Sequence, residues 1–576
     1  MRRILGSQSA AAIKMRLLGL AATTWLARLA RPLSALSLRL AAPGSRRPER
    51  LLIAPRDIRT ADPIAAEDIY AGYFVLAGKA VNVHGLSPFE GPAPSRAWSE
   101  ALHGFGWLRH LRAADTPLSR ANARALVEDW LKASARRGGF DGSVARDPRV
   151  TARRLLSWLA NSPIILENAD PAFYRRFAQA IAAHTPPLER ALGGRLKGEA
   201  RLQAAIALTQ AGLSLENAAS LLRRASRLLS TELERQILPD GGHISRKPQT
   251  LVDLLLDLLP TRQVFAARGI APPDALLNAI DRMAPILRLF RHRDGALANF
   301  NGMGVTEPET LATILAYGEV GAAALMDAPY SGYQRLEAGA SVVIVDVGKP
   351  PPWEYSKACH AGCLSFEFSS GLDRIVVNCG SPGPDAPEAR LAARATAAHS
   401  TLIVDDHSSC RFAAARGLEA VADGAVLQGP EEVVVSRSAD DSDLRLEARH
   451  DGYARSYGLL HNRSLWLSLD GSRLWGEDRL LPSRDATPRE TTPIALRFHI
   501  HPDVRVEPDE AAHGATLVLP SGETWRFEAV SRPIAIEESV FFSAPARLRR
   551  STQLVVHGVY ADSAQIEWSL FRTGGP

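Results

Sequence analysis

The chain has 576 residues, 46% apolar and 23% charged, with a mean hydropathy of −0.08. This suits a soluble protein of several domains and excludes a disordered chain, a collagen-like repeat, a disulfide scaffold and a polytopic membrane protein. The net charge of +6 is uneven: residues 1–60 hold 12 basic and 2 acidic residues, the rest 56 and 60, so the body lacks the basic face that nucleic acid requires.

Residues 1–60 read as a basic arm. The apolar stretch Leu17–Ala27 is short and ends at Arg28 and Arg31. Three readings stay open: a signal peptide with an indistinct cleavage site, a basic amphipathic helix on an anionic membrane surface, or an ordinary helix with a solvated arginine face. Residues 61–94 read as an irregular, Gly/Pro-rich lead-in.

From about 95 to 325 the pattern is helical. Trp98, Leu102, Phe105, Leu108 and Leu111 recur at spacings of three and four, one face of a single helix. Thr116-Pro117, Asp147-Pro148, Asp170-Pro171 and Thr185-Pro186 each place a capping side chain before a proline at the first helical position. Further helices are expected over about 187–211, 214–236, 248–267, 273–292 and 306–322. Such a stack is a bundle, a helical solenoid or a closed α/α toroid, and no strict repeat favours the solenoid.

After about 335 the period falls to two. Segments such as SVVIVDVG, CLSFEF, DRIVVNCG and STLIVDD recur with Gly, Asp-Gly or Pro between them, and a short helical piece interrupts near 386–397. About a dozen antiparallel strands imply a β-sandwich. The expected boundary is near Ala328-Pro329, giving domains of 61–328 and 329–576. Helices followed by a sandwich is an order often found in carbohydrate-active enzymes, an analogy only.

Three segments offer chemistry. In QILPDGGHISRKP (236–248) a tight Asp240-Gly241-Gly242 turn holds His243 and Arg246 between two helix ends, facing a cleft or simply connecting helices. In HRDGALANFNGMG (292–304) Asn299 and Asn301 flank Phe300; their amides suit a carboxylate, or serve a turn. In KACHAGCLSFEF (357–368) His360 takes one strand face and Cys359 and Cys363 the other, with His399 further on; two histidines and a cysteine or acid suit zinc, though at no standard finger spacing. The cysteines, at 359, 363, 379 and 410, form no disulfide framework. Trp107 lies on a different helix face from Trp98 and Phe105 and, with Arg109 and Arg112 nearby, is the candidate for stacking on a sugar. There is no Gly-x-Ser-x-Gly elbow, P-loop or His-Glu-x-x-His motif. A glycosidase needs paired carboxylates, and nothing pairs Glu199, Glu307 or Glu309.

Through ILPDGGHISRKP, DGALANFNGMG, the SGY at 331–333, HAGCLSF, IVVNCG and AHSTLIVD the chain resembles the heparinase II/III-like polysaccharide lyases. The resemblance implies an α/α toroid (an incomplete helical barrel) followed by an antiparallel β-sandwich. It implies β-elimination on an acidic, uronate-containing glycan, in the periplasm or cell envelope, with a cytoplasmic, membrane-associated place as the alternative. A neutral or cationic group must quiet the uronate as charge forms, a base must take the C5 proton and an acid must serve the leaving oxygen. His243, Arg246, His360 and Tyr333 are then the expected catalytic residues, and Asn299, Asn301 and Trp107 the substrate-binding ones.

No cofactor is required; a structural zinc at His360 and His399 is weakened because Asn378 stands where the family often has an acid. The partners implied are an acidic glycan, no nucleic acid, and membrane-surface contact through residues 1–60. The family also carries a toroid tyrosine where this chain reads Asn-Phe-Asn, and no tyrosine lies between Tyr174 and Tyr317. That gap supports the alternative of a non-catalytic glycan-binding or envelope-assembly protein; a toroid glycoside hydrolase stands third.

Overall fold

The structure is a computed structural model that describes residues 11–22, 50–136, 144–194, 196–317, 323–484, 486–509, 513–530, 532–544 and 548–575. Most of the expected basic arm lies outside the described residues; residues 11–22 form a helix that buries Ile13 and Leu17 against Ala413 and Leu427, with Arg16 over the Trp353 ring. The lead-in is not irregular throughout. It carries a helix, Ile64–Tyr70, and a hairpin of Tyr73–Leu76 with Lys79–Asn82.

Helices then run in sequence from Arg96 to Ala316. Three of the four expected caps form: Thr116 in a capping box with Ser119, and Asp147 and Asp170 ahead of their prolines. The fourth does not. Pro186 and Pro187 lie inside the helix Pro171–Leu192. Proline removes the N–H that would reach the carbonyl four residues back, but the Thr185 hydroxyl donates to the Ala182 carbonyl (3.0 Å) in its place. The expected helix through Trp98 and Leu111 is two, Arg96–Gly104 and Leu108–Ala114, because Phe105 turns left-handed between Gly104 and Gly106 (φ 58°).

Most of the described strands form two large antiparallel sheets. The first runs from Ala535–Phe541 through Arg549–Val559, Pro493–Ile500, Asp373–Val377, Phe366–Ser370, Ser341–Asp346 and Tyr333–Ala338 to Asp327–Ala328. The second runs from Val433–Ala439 through Asp443–His450, Leu459–Ser468, Arg473–Pro482, Gln565–Gly574, Thr524–Ala529 and Gly514–Val518 to Arg505–Pro508. The short helix expected near 386–397 is Pro387–Ala393.

The first sheet is a middle layer. Every residue of Ser341–Asp346 is buried. Val343 and Val345 join the apolar core against the second sheet, while Val342 and Ile344 join the core of the helical domain. By the two-residue period of a strand, Asp346 follows Val342 and Ile344 towards the helices, and Glu367, between Phe366 and Phe368, does the same. Polar side chains of the sheet thus meet the loops that close the helices.

Candidate functional site

The DGG turn fastens one domain to the other. The Asp240 carboxylate accepts the backbone N–H groups of Tyr330 (2.9 Å) and Ser331 (2.7 Å). Gly241 has φ +87°; a Cβ there would run into the Arg282 carbonyl, and one at Gly242 into Ser331. His243 is fully buried. The Ser245 N–H donates to its Nδ1 (3.1 Å), so Nε2 carries the proton and donates it to Gln236 Oε1 (3.1 Å). Desolvation pushes its pKa down to about 4. It is a neutral, saturated histidine.

Arg246 is likewise spent. Its guanidinium donates to the carbonyls of Ser331 (2.7 Å), Gly332 (3.1 Å) and Gly348 (3.1 Å), pairs with Asp346, and lies 4.8 Å from the Tyr333 ring centroid. Tyr333 is 0% exposed. Its hydroxyl donates to the Arg246 carbonyl (2.6 Å) and accepts from Asn301 Nδ2 (2.6 Å), and burial drives its pKa upward. Asn301 also donates to Asp346 (3.0 Å) and accepts the His360 N–H (3.0 Å). Asn299 is buried between Glu367, which accepts its N–H (3.1 Å), and the Asn378 carbonyl (3.4 Å). Glu367 also accepts the Asn378 N–H (2.8 Å) and meets His292 from the helical side (3.1 Å).

The structure places His243, Arg246, Tyr333, Asn299 and Asn301 together, buried in an interdomain seam, where the middle sheet turns its polar side chains into the helical loops. Trp107 is buried as well, in the helical domain. It is 3% exposed, donates to the Leu102 carbonyl (3.1 Å) and packs against Phe74 and Phe105.

His360 differs. His399 Nδ1 faces only the Ala395 carbonyl (2.8 Å) and so carries a proton; its Nε2 accepts from His360 Nδ1 (3.1 Å). That leaves His360 Nε2 as a lone pair with no partner among the described residues, and it is not sealed from solvent. Gly362 makes this packing possible, since a Cβ there would meet the His399 ring at 2.6 Å. Burial, then His399, then Arg394, Lys247 and Arg390 hold the His360 pKa well below the ordinary range. Arg394 is tied to the carbonyls of Cys359 (2.8 Å) and Ser356 (3.3 Å). Lys247 and Arg390 pair with no acidic side chain among the described residues. The result, the His360 mouth, is one slightly exposed proton-accepting nitrogen within electrostatic reach of two half-buried cations that form no salt bridge among the described residues. Neither Lys247 nor Arg390 was singled out by the sequence; a lone basic residue carries no periodic signal, though Lys247 sits within the DGG segment itself.

The residues do not fit a structural zinc. The His360–His399 hydrogen bond and the Ala395 carbonyl consume three of the four ring nitrogens. The Asn378 side-chain oxygen accepts the Ser400 N–H (3.0 Å), and burial pushes the Cys379 thiol up to about 12. No group of three or more His, Cys, Asp or Glu side chains among the described residues is arranged to hold a metal.

Comparison with known proteins sets this geometry in a family. Residues 321–569 match the heparinase II/III-like C-terminal domain. The FtsZ-localized protein C of Caulobacter vibrioides (strain NA1000 / CB15N) is 32% identical over 544 residues, covering 92% of this chain and 91% of that protein. The chain belongs to the heparinase II/III-like family. The crystal structure of heparinase III superposes with a TM-score of 0.71 at 13% identity, over 97% of this chain and 92% of that one. Heparan sulfate lyase HepC from Pedobacter heparinus gives 0.60 at 14%, over 98% and 88%. These likenesses establish the fold: helical toroid first, antiparallel sandwich second. No helix among the described residues is long and apolar enough to cross a membrane.

Proposed function

We propose that this member of the family binds an acidic glycan at the His360 mouth without cleaving it. The observation that carries the reading is the contrast at the mouth: Lys247 and Arg390 form no salt bridge among the described residues, whereas Tyr333 and His243, the groups expected to move protons, are saturated and buried. A uronate or sulfate group pairs with an ammonium or guanidinium. Eliminating across C4–C5 would also need an acid for the leaving oxygen, and the Tyr333 hydroxyl is spent on the Arg246 carbonyl.

A second reading rests on His360 alone. Its Nε2 lone pair suits removal of the C5 proton, with Lys247 quieting the carboxylate and water serving the leaving oxygen. One experiment separates the two. Purified protein is titrated by calorimetry with a panel of uronate-containing polysaccharides while absorbance is followed in the ultraviolet. Binding that weakens with salt, and no absorbance from unsaturated uronate, is the expected result. Growth of that absorbance makes the chain a lyase; equal affinity at low and high salt, or a preference for neutral glucans, removes the acidic-glycan claim.

The setting we propose is the cell envelope at the division site, since the Caulobacter relative is named for localising with FtsZ. A fluorescent fusion that ignores division sites would remove that setting. An alkaline phosphatase fusion decides between the periplasm and the cytoplasmic side, and vesicle flotation tests membrane-surface contact through residues 1–60.

A further inference from the structure

Beside the mouth lies a polar chamber of about 270 Å³, walled by Arg59 and Thr60 of the lead-in, Arg109, Gln249 and Asp253 of the helix Pro248–Ala267, and Glu307. Mouth and chamber are neighbours in the chain: Lys247 directly precedes the helix whose Gln249 and Asp253 line the chamber, and Met303, also in its wall, lies two residues after Asn301, which holds the His360 N–H. The lead-in is firmly fastened across the toroid. The Leu52 N–H reaches the Ser214 carbonyl (2.8 Å), Arg112 holds the Asp57 carbonyl (2.7 Å), and Arg109 Nε holds that of Thr60 (2.8 Å). Arg59 meets Asp257 at 2.7 Å, and Arg153 meets the other oxygen of that carboxylate at 2.7 Å. The lead-in thus supplies one fixed wall of the chamber, through Arg59 and Thr60.

The chamber's chemistry suits one sugar ring. Its volume falls just below the roughly 300–1,000 Å³ of pockets for larger ligands. Asp253 accepts from Gln249 through Oδ1 (3.0 Å) and Glu307 from Thr310 through Oε2 (2.9 Å). The other oxygen of each carboxylate has no hydrogen-bond partner among the described residues, and is placed to accept from sugar hydroxyls. Asp253 is open to water in the chamber yet ringed by protein, and burial raises its pKa. Arg109 donates through Nε and one Nη to the Thr60 and Gly106 carbonyls, which leaves its second Nη for an anionic substituent.

We propose that the chamber takes the terminal residue of an acidic glycan, so that the protein recognises chain ends and not chain interiors. The inference rests on the reading that the mouth binds such a glycan. It is tested on the full chain by calorimetry and analytical ultracentrifugation with size-fractionated hyaluronan and alginate oligosaccharides. One protein per glycan chain at every length is expected, with affinity lowered about tenfold in Glu307→Gln, which keeps an acceptor for Thr310. Asp253→Asn, which removes no hydrogen bond of the lead-in fastening, is expected to act in the same direction. Several proteins loading onto one long chain, or unchanged affinity in both variants, overturns end recognition while leaving the mouth intact. No binding to any acidic glycan overturns the proposed function and this inference with it.

Discussion

The seam and the mouth are built from neighbouring residues of the same motifs, yet they differ in how much bonding capacity is left. At the seam, Arg246, Tyr333, Asn301 and Asp346 bond one another and the backbone of both domains. One residue past Arg246, Lys247 forms no salt bridge among the described residues, and one nitrogen of His360 has no partner among them, although its backbone N–H is held by Asn301. Saturated groups stabilise; groups with spare donors or acceptors can bind. A motif shared with a lyase family therefore says where a segment sits, and the hydrogen-bond inventory says what it does there.

The comparison breaks most visibly at Asp346. Asp346→Ala leaves the Arg246 guanidinium buried without its counter-ion, and is expected to cost about 3–5 kcal/mol in denaturant unfolding. A near-neutral result would mean that water enters the seam. Tyr333→Phe orphans the Arg246 carbonyl and should cost about 1–3 kcal/mol while leaving glycan affinity as it was; a variant of full stability that binds tenfold worse would move Tyr333 from the seam to the site.

The histidines sharpen the contrast through pH. His243 titrates near 6.5 when unfolded but near 4 in the fold. The unfolded chain therefore takes the proton first, so its contribution to stability is complete above about pH 6.5 and drains away as pH falls towards 4. His243→Gln should flatten the stability–pH curve in that window by up to one proton; an unchanged slope would show that His243 is not held neutral. The smallest effect on stability is expected at the mouth. Lys247→Ala should change unfolding by less than about 0.5 kcal/mol and yet weaken acidic-oligosaccharide binding and shallow its salt dependence, measured by calorimetry at two ionic strengths.

Much of the fold was legible in the sequence. A period near 3.6 before residue 325 and near 2 after 335 gives helices then strands, and three Thr/Asp-Pro pairs mark helix starts where the structure has them. Thr185-Pro186 misled because its hydroxyl bonds backwards to Ala182 and not forwards, a choice that local sequence does not encode. The site was legible as segments and not as roles. DGGHISR, ANFN and HAGC do converge, but burial on both faces of the middle sheet decides that His243, Arg246 and Tyr333 turn inward. That burial depends on the helical domain lying over Val342 and Ile344, a long-range fact. Aromatic spacing likewise separated Trp107 from Trp98 without showing that Phe74 covers it.

The Gly241–Gly242 turn has a consequence for how such chains evolve. Neither glycine has room for a side chain, because the Arg282 carbonyl and Ser331 stand against them. Selection for assembly of the two domains is thus enough to keep the turn invariant, whether or not a proton is ever moved nearby. A lineage that loses its chemistry would go on displaying this signature, and the first letters to drift would be those around it that no longer meet a substrate.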